Sequence, residues 1–196
     1  MKMKKSGAVW CAALIVLAAA LVYFNLPSSP LFAAAPDIAP TVDPLTQYAS
    51  DAPLGHQVGQ QLPDFTIIQT DGQEFALRQY RGKVVVLNLW ATWCTPCIKE
   101  LPHFDRLQQN YPDDVKVLAL HSDLITDDPL SFLSNYDYQI AFAVDEGGQI
   151  IPALGGSTML PQTVVLNPRG EVTYNRVGSV TYEALEELMR AAKGTE

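Results

Sequence analysis

Hydrophobic and polar positions divide the chain into three stretches. Lys2, Lys4 and Lys5 precede an uncharged run from Gly7 to Phe24, at the lower edge of the roughly 17–25 residues needed to cross a bilayer. Residues 25–58 keep no period; Pro27, Pro30, Pro36, Pro40, Pro44 and Pro53 interrupt a stretch rich in Ala, Ser and Asp. Such a stretch buries too little to offset its ordering entropy and spaces a domain as a semi-extended linker. In residues 59–196 apolar positions recur with the periods of strands and helices, so one folded domain is expected there.

Within that domain, Phe65 to Gln69 and Glu74 to Leu77 read as short strands joined at Asp71-Gly72, a strong hairpin turn. The Val84-Val85-Val86-Leu87 run, within Lys83 to Trp90, is apolar on both faces, as in a strand covered on both sides. Pro96 to about Tyr111 is expected to be helical, with Ile98, Leu101, Phe104 and Leu107 on one stripe and Pro96 tolerated in the first turn. Pro102 is an anomaly there, because an interior proline removes a helix hydrogen bond. Val115 to Leu120 predicts a further strand, Pro129 to Tyr136 a short helix and Ala141 to Val144 an edge strand. Alternating strands and helices imply parallel pairing. Thr163 to Asn167 and Glu171 to Val177 predict an antiparallel hairpin through Pro168-Arg169-Gly170. Thr181 can cap a last helix whose apolar stripe is Leu185, Leu188, Met189 and Ala192. The fold class expected is α/β: a central mixed sheet flanked by helices, βαβ then ββα, with an N-terminal β-hairpin extension.

Charge adds direction. The three lysines before the apolar run should stay cytoplasmic, which makes residues 1–24 a single-pass membrane anchor with the C-terminal domain outside. A cleaved secretory signal is the alternative, because Ala33-Ala34-Ala35 offers small residues of the required kind. The net charge of −8 has no basic patch to set against phosphates, so nucleic acid is not an expected partner. The chain is expected to act as a monomer. Cys11 lies inside the apolar run and behaves as a small hydrophobe.

Chemistry concentrates in Trp93-Cys94-Thr95-Pro96-Cys97, where a buried strand gives way to a helix. Cysteines three apart at a helix start can close a disulfide. The unpaired amides and dipole there favour thiolate, lowering the first cysteine below about 8.5. Cys94 is then the attacking thiolate and Cys97 the resolving thiol. A structural zinc pair would need a second C-x-x-C or paired histidines, which the sequence lacks. Glu100 follows Cys97 by three, so the two can share a helix face, and a carboxylate there can exchange a proton with Cys97. It can equally be a first-turn acid that complements the dipole. Trp90 and Trp93 are candidates to wall the disulfide, with Trp90 as plain core the competing role. His103 and His121 have no partners at metal-ligand spacing and are expected to be surface or loop residues.

The segment VVVLNLWATWCTPCIKELP resembles the membrane-anchored TlpA and ResA-type branch of the thioredoxin family. LPDF with TDGQEFAL upstream, and LPQTVVLNPRGEV downstream, extend the similarity over roughly Gly59 to Lys193. The resemblance implies a tethered or secreted thiol–disulfide oxidoreductase that uses its redox-active disulfide without organic cofactor or metal. It implies that Pro161 is a cis-proline facing the disulfide, with the Leu160 backbone offering hydrogen bonds to an extended peptide beside Trp93, Thr95 and Pro96. It also accounts for Pro102 as a kink in the active-site helix. Asn88 stands where classical thioredoxins carry a buried aspartate, which leaves Glu100 to handle protons.

Thr95-Pro96 offers no histidine to stabilise the thiolate, which favours a reductant. The expected function is reduction of exported client proteins' disulfides, as in cytochrome c maturation or surface-protein repair. Electrons would come from a membrane thiol donor, since no nicotinamide or flavin fingerprint occurs. A thiol oxidase or isomerase on the same scaffold is the alternative. A copper-binding assembly protein fits less well, because its C-x-x-x-C loop is absent.

Overall fold

The two-sided apolar run is the centre of the structure. The computed structural model describes residues 51–122, 128–146, 148–156 and 159–194; the apolar run Gly7 to Phe24 and Cys11 lie outside these. Among the described residues no helix is long and apolar enough to cross a membrane. A hairpin of β1 (Thr66–Ile68) and β2 (Glu74–Ala76) leads through a 3-10 turn, Leu77–Tyr80, into β3 (Val84–Trp90). There follow α1 (Thr95–Asn110), β4 (Val115–His121), α2 (Pro129–Leu133), β5 (Ala141–Val144), α3 (Ile150–Ala153), β6 (Gln162–Leu166), β7 (Val172–Val177) and α4 (Tyr182–Lys193).

The sheet order is β5-β4-β3-β6-β7. β3 and β4, and β4 and β5, pair in parallel; β6 is antiparallel to both β3 and β7. This is the thioredoxin fold expected from the sequence. All seven residues of β3 are buried, and their alternation splits the core in two. Val84, Val86 and Trp90 join Leu101, Phe104 and Leu107 of α1 and Leu185, Met189 and Ala192 of α4. Val85, Leu87 and Leu89 face the hairpin's Phe75 and Ile151 and Leu154 from the α3 segment.

Both sheet edges are partly covered. At β5, Thr70 N donates to Phe142 O at 2.8 Å, so the hairpin lies on an edge that would otherwise offer unpaired amides. At β7, Gly59 N donates to Val172 O and Val172 N to Gln60 O. Gln61 N also reaches Pro53 O. The hydrogen-bonded unit therefore extends back to Pro53, into residues that composition assigned to the linker.

Two elements differ from the sequence pattern. α2 stops at Leu133, short of Tyr136, where the Asn135 amide donates to the carbonyls of Ser131 and Phe132 and satisfies the helix end. α3 has no sequence signature: four residues containing Pro152 carry no period. Asp145 creates it, accepting from the amides of Gln149, Ile150 and Ile151 at 3.1, 3.0 and 2.9 Å. Pro102 sits inside α1, on its exposed side, while Leu101, Phe104 and Leu107 anchor the helix in the core.

Candidate active site

β3 ends at Trp90, and four residues later the chain turns into α1 with Cys94 as its N-cap. Cys94 and Cys97 are disulfide-bonded, with Cα atoms 5.2 Å apart. The Cys94 Sγ accepts a hydrogen bond from Cys97 N at 3.3 Å, so this sulfur occupies the position where a helix N-terminus welcomes negative charge. Cys94 is 4% exposed and Cys97 0%. The first cysteine is thus the reachable one, through a narrow opening.

Glu100 is brought into the interior rather than left on the first turn's surface. It is 2% exposed. Its Oε1 accepts from Asn88 Nδ2 at 2.8 Å and its Oε2 from Val180 N at 3.0 Å. Burial raises the carboxyl from its ordinary 4.5 to about 7, against the lowering pull of the Val180 and Asn88 hydrogen bonds and of His103. An acid that only complemented the helix dipole would sit in water with its charge intact. This one is held near the point of half-ionisation at neutral pH.

The Leu160–Pro161 peptide bond is cis. Leu160 packs on the apolar cluster that includes both cysteines, and Pro161 is buried. The β7–α4 turn ties this loop to Glu100: Gly178 N donates to Pro161 O at 2.8 Å, and Val180 N reaches Glu100. Gly178 has φ of +122°, a conformation that side chains strain. Trp93 is 47% exposed, and Thr95 and Pro96 are exposed beside it in sequence.

A model of the AhpC/TSA family matches residues 58–175, more than half of the chain. The chain belongs to the AhpC/TSA family. Within this family it is 33% identical over 135 residues to the thiol-disulfide oxidoreductase ResA of Bacillus thuringiensis subsp. konkukian (strain 97-27), covering 68% of this chain and 78% of that protein. It is also 33% identical over 148 residues to the thioredoxin-like protein YneN of Bacillus subtilis (strain 168), covering 74% and 86%. The crystal structure of a DsbE-type thiol:disulfide interchange protein from Chlorobium tepidum superposes with a TM-score of 0.63 at 31% identity, covering 69% of this chain and 97% of that one. Family and relatives agree with the disulfide at the helix start, and the chain is a thiol–disulfide oxidoreductase with the thioredoxin fold.

Against this family background some residues take places the sequence did not announce. His121 is buried, not at the surface: its ring meets Trp90 edge-on at 5.0 Å. Trp90 is core, packed also on Phe132 and Phe142, so of the two tryptophans Trp93 alone reaches solvent. His103 Nδ1 lies 3.0 Å from Val180 O and donates to it, steadying the turn that holds Glu100. Sequence reasoning missed Asn175. Its Nδ2 donates to His56 O and Leu154 O at 2.9 and 3.0 Å, and its Oδ1 accepts from Gln162 Nε2 at 2.7 Å. It thereby joins the chain before the domain, the end of α3 and the residue after Pro161. Nothing in a polar residue on an edge strand signals such a junction. Among the described residues no group of three or more His, Cys, Asp or Glu side chains could hold a metal ion.

Proposed function

We propose that this oxidoreductase is tethered outside the cytoplasm and reduces disulfides of exported proteins, drawing electrons from a membrane thiol donor. The observation that carries the chemistry is the buried Glu100 carboxyl, raised to about 7, on the same helix as the Cys94–Cys97 disulfide. In the reduced protein the Cys94 thiolate attacks one client sulfur. A mixed disulfide forms, and the client's other sulfur leaves as thiolate. Cys97 passes its proton to Glu100, and its sulfur attacks Cys94 Sγ. The Cys94–Cys97 disulfide forms, and the second client thiolate leaves with two electrons gained in all. The disulfide present in this structure is the product state, which a thiol donor returns to dithiol with no organic cofactor or metal in the cycle.

Client binding is assigned to the loop of Leu160 and Pro161, where the family resemblance implies that the Leu160 backbone meets an extended peptide. Trp93, Thr95 and Pro96 supply exposed surface next to Cys94 in the chain. The tether is residues 7–24, with Lys2, Lys4 and Lys5 retained inside.

Two variants test the scheme. Cys97→Ala, reduced and mixed with a fluorescent disulfide-linked peptide, should accumulate a mixed disulfide through Cys94 that dithiothreitol releases. Cys94→Ala should form none. Equal adducts in both variants would contradict the assignment of attacking and resolving cysteine.

A further inference from the structure

The sheet face beneath α1 holds polar atoms that the reaction scheme leaves unused. Asn88 of β3 and Thr163 of β6 are register partners, so their side chains leave the sheet on the same side, with Cβ atoms about 4.5–5.5 Å apart. Both are 0% exposed. Asn88 Nδ2 donates to Glu100 Oε1 at 2.8 Å. At the other end of that amide, Asn88 Oδ1 and the neighbouring Thr163 Oγ1 are buried and have no hydrogen-bond partner among the described residues. Buried polar atoms are nearly always satisfied by protein or by ordered water. An acceptor and a hydroxyl on adjacent strands that make no direct bond match the needs of a single water molecule.

We propose that Thr163 is a positioning residue for Glu100: through one buried water its hydroxyl holds the Oδ1 end of Asn88, and so strengthens the hold of the amide's NH2 group on the carboxylate. An amide is a donor at one end and an acceptor at the other. With its NH2 group towards Glu100 it stabilises the ionised form; turned round, it accepts only from the protonated acid. A water fixed by Thr163 that donates to Oδ1 polarises the amide and strengthens its NH2 donation to the carboxylate. Thr163 therefore sets the fraction of Glu100 that is ionised near neutral pH, and with it the readiness of Glu100 to take a proton.

On its own helix Glu100 has His103 and Cys97, the latter disulfide-bonded and without a titration in the oxidised protein; His121 of β4 lies on the same sheet face. His103 is the one that acts on the carboxyl through its charge, favouring ionisation. From the α4 side the contact is the uncharged Val180 amide.

The consequence for catalysis rests on Glu100 accepting the Cys97 proton, but the test does not. The oxidised full-length chain, in detergent micelles with 13C-carboxyl-labelled glutamate, is titrated by NMR; Glu100→Gln assigns the resonance. Thr163→Val should raise the Glu100 midpoint by roughly half to one pH unit, and Thr163→Ser should keep it at the wild-type value. Should Thr163→Val not fold, Thr163→Ala makes the same comparison. An unmoved midpoint in the hydroxyl-less variant, or an equal rise in Thr163→Ser, overturns the proposal. If the midpoint rises as expected while the pH profile of mixed-disulfide resolution stays fixed, Thr163 positions Glu100 as proposed, and the proton-accepting role of Glu100 is what fails.

Discussion

Glu100 carries its charge where burial penalises it. Its carboxyl is raised to about 7 from an ordinary 4.5, so between those values the folded protein keeps a proton that the unfolded chain has released. Stability therefore falls as pH rises from about 4.5, and the loss is complete above about 7, at roughly 3 kcal/mol. Glu100→Gln removes this dependence. Urea midpoints of the oxidised protein at pH 5 and pH 8 should show the wild type losing stability relative to Glu100→Gln across that interval; parallel behaviour of the two proteins would contradict the buried-acid description. The cysteines and Glu100 were legible in the sequence because chemistry at a helix start depends on short spacings. The hydrogen bonds that hold Glu100 were not. One comes from the backbone of Val180, eighty residues on, and backbone amides leave no mark in a sequence.

Elements were legible where a period ran long enough. β3, β4, α1 and α4 follow two-sided apolar runs or helical stripes, and the structure places them within a residue or two of expectation. α3 escaped because it is held by a distant cap rather than by its own pattern. Asp145 is 4% exposed and accepts from three successive amides at the start of α3. Asp145→Ala should destabilise the fold by about 1–3 kcal/mol, since it leaves helix-start amides without a partner. Thermal or urea unfolding checks this, and Asp145→Asn should recover part of the loss. Asn175 has a comparable role at the β7 edge. Because its amide reaches His56, Leu154 and Gln162 together, Asn175→Ala should raise the KM for a peptide disulfide with little change in the potential of the cysteine pair. An unchanged KM would separate that junction from client binding.

At the scale of the whole molecule, an acidic thioredoxin-fold domain follows an apolar run preceded by three lysines, the basis of the proposed tether. Reporter fusions after Phe24 and after Glu196 should both read as extracytoplasmic, and an intracellular reading at either site would contradict the tether's orientation. Direction of electron flow was the least legible property, because a potential sums helix dipole, burial and loop donors, of which the sequence displays only the last. Thr95-Pro96 provides no histidine, and the structure adds the Cys97 amide on the Cys94 sulfur. The most direct test is to equilibrate the full-length chain with dithiothreitol and glutathione buffers at pH 7 and determine the midpoint of the Cys94–Cys97 couple, using Cys97→Ala as the non-cycling control. A reductant requires a midpoint well below the roughly −180 mV of protein disulfide isomerase. A midpoint near −120 mV, the range of a strong oxidant, would contradict it.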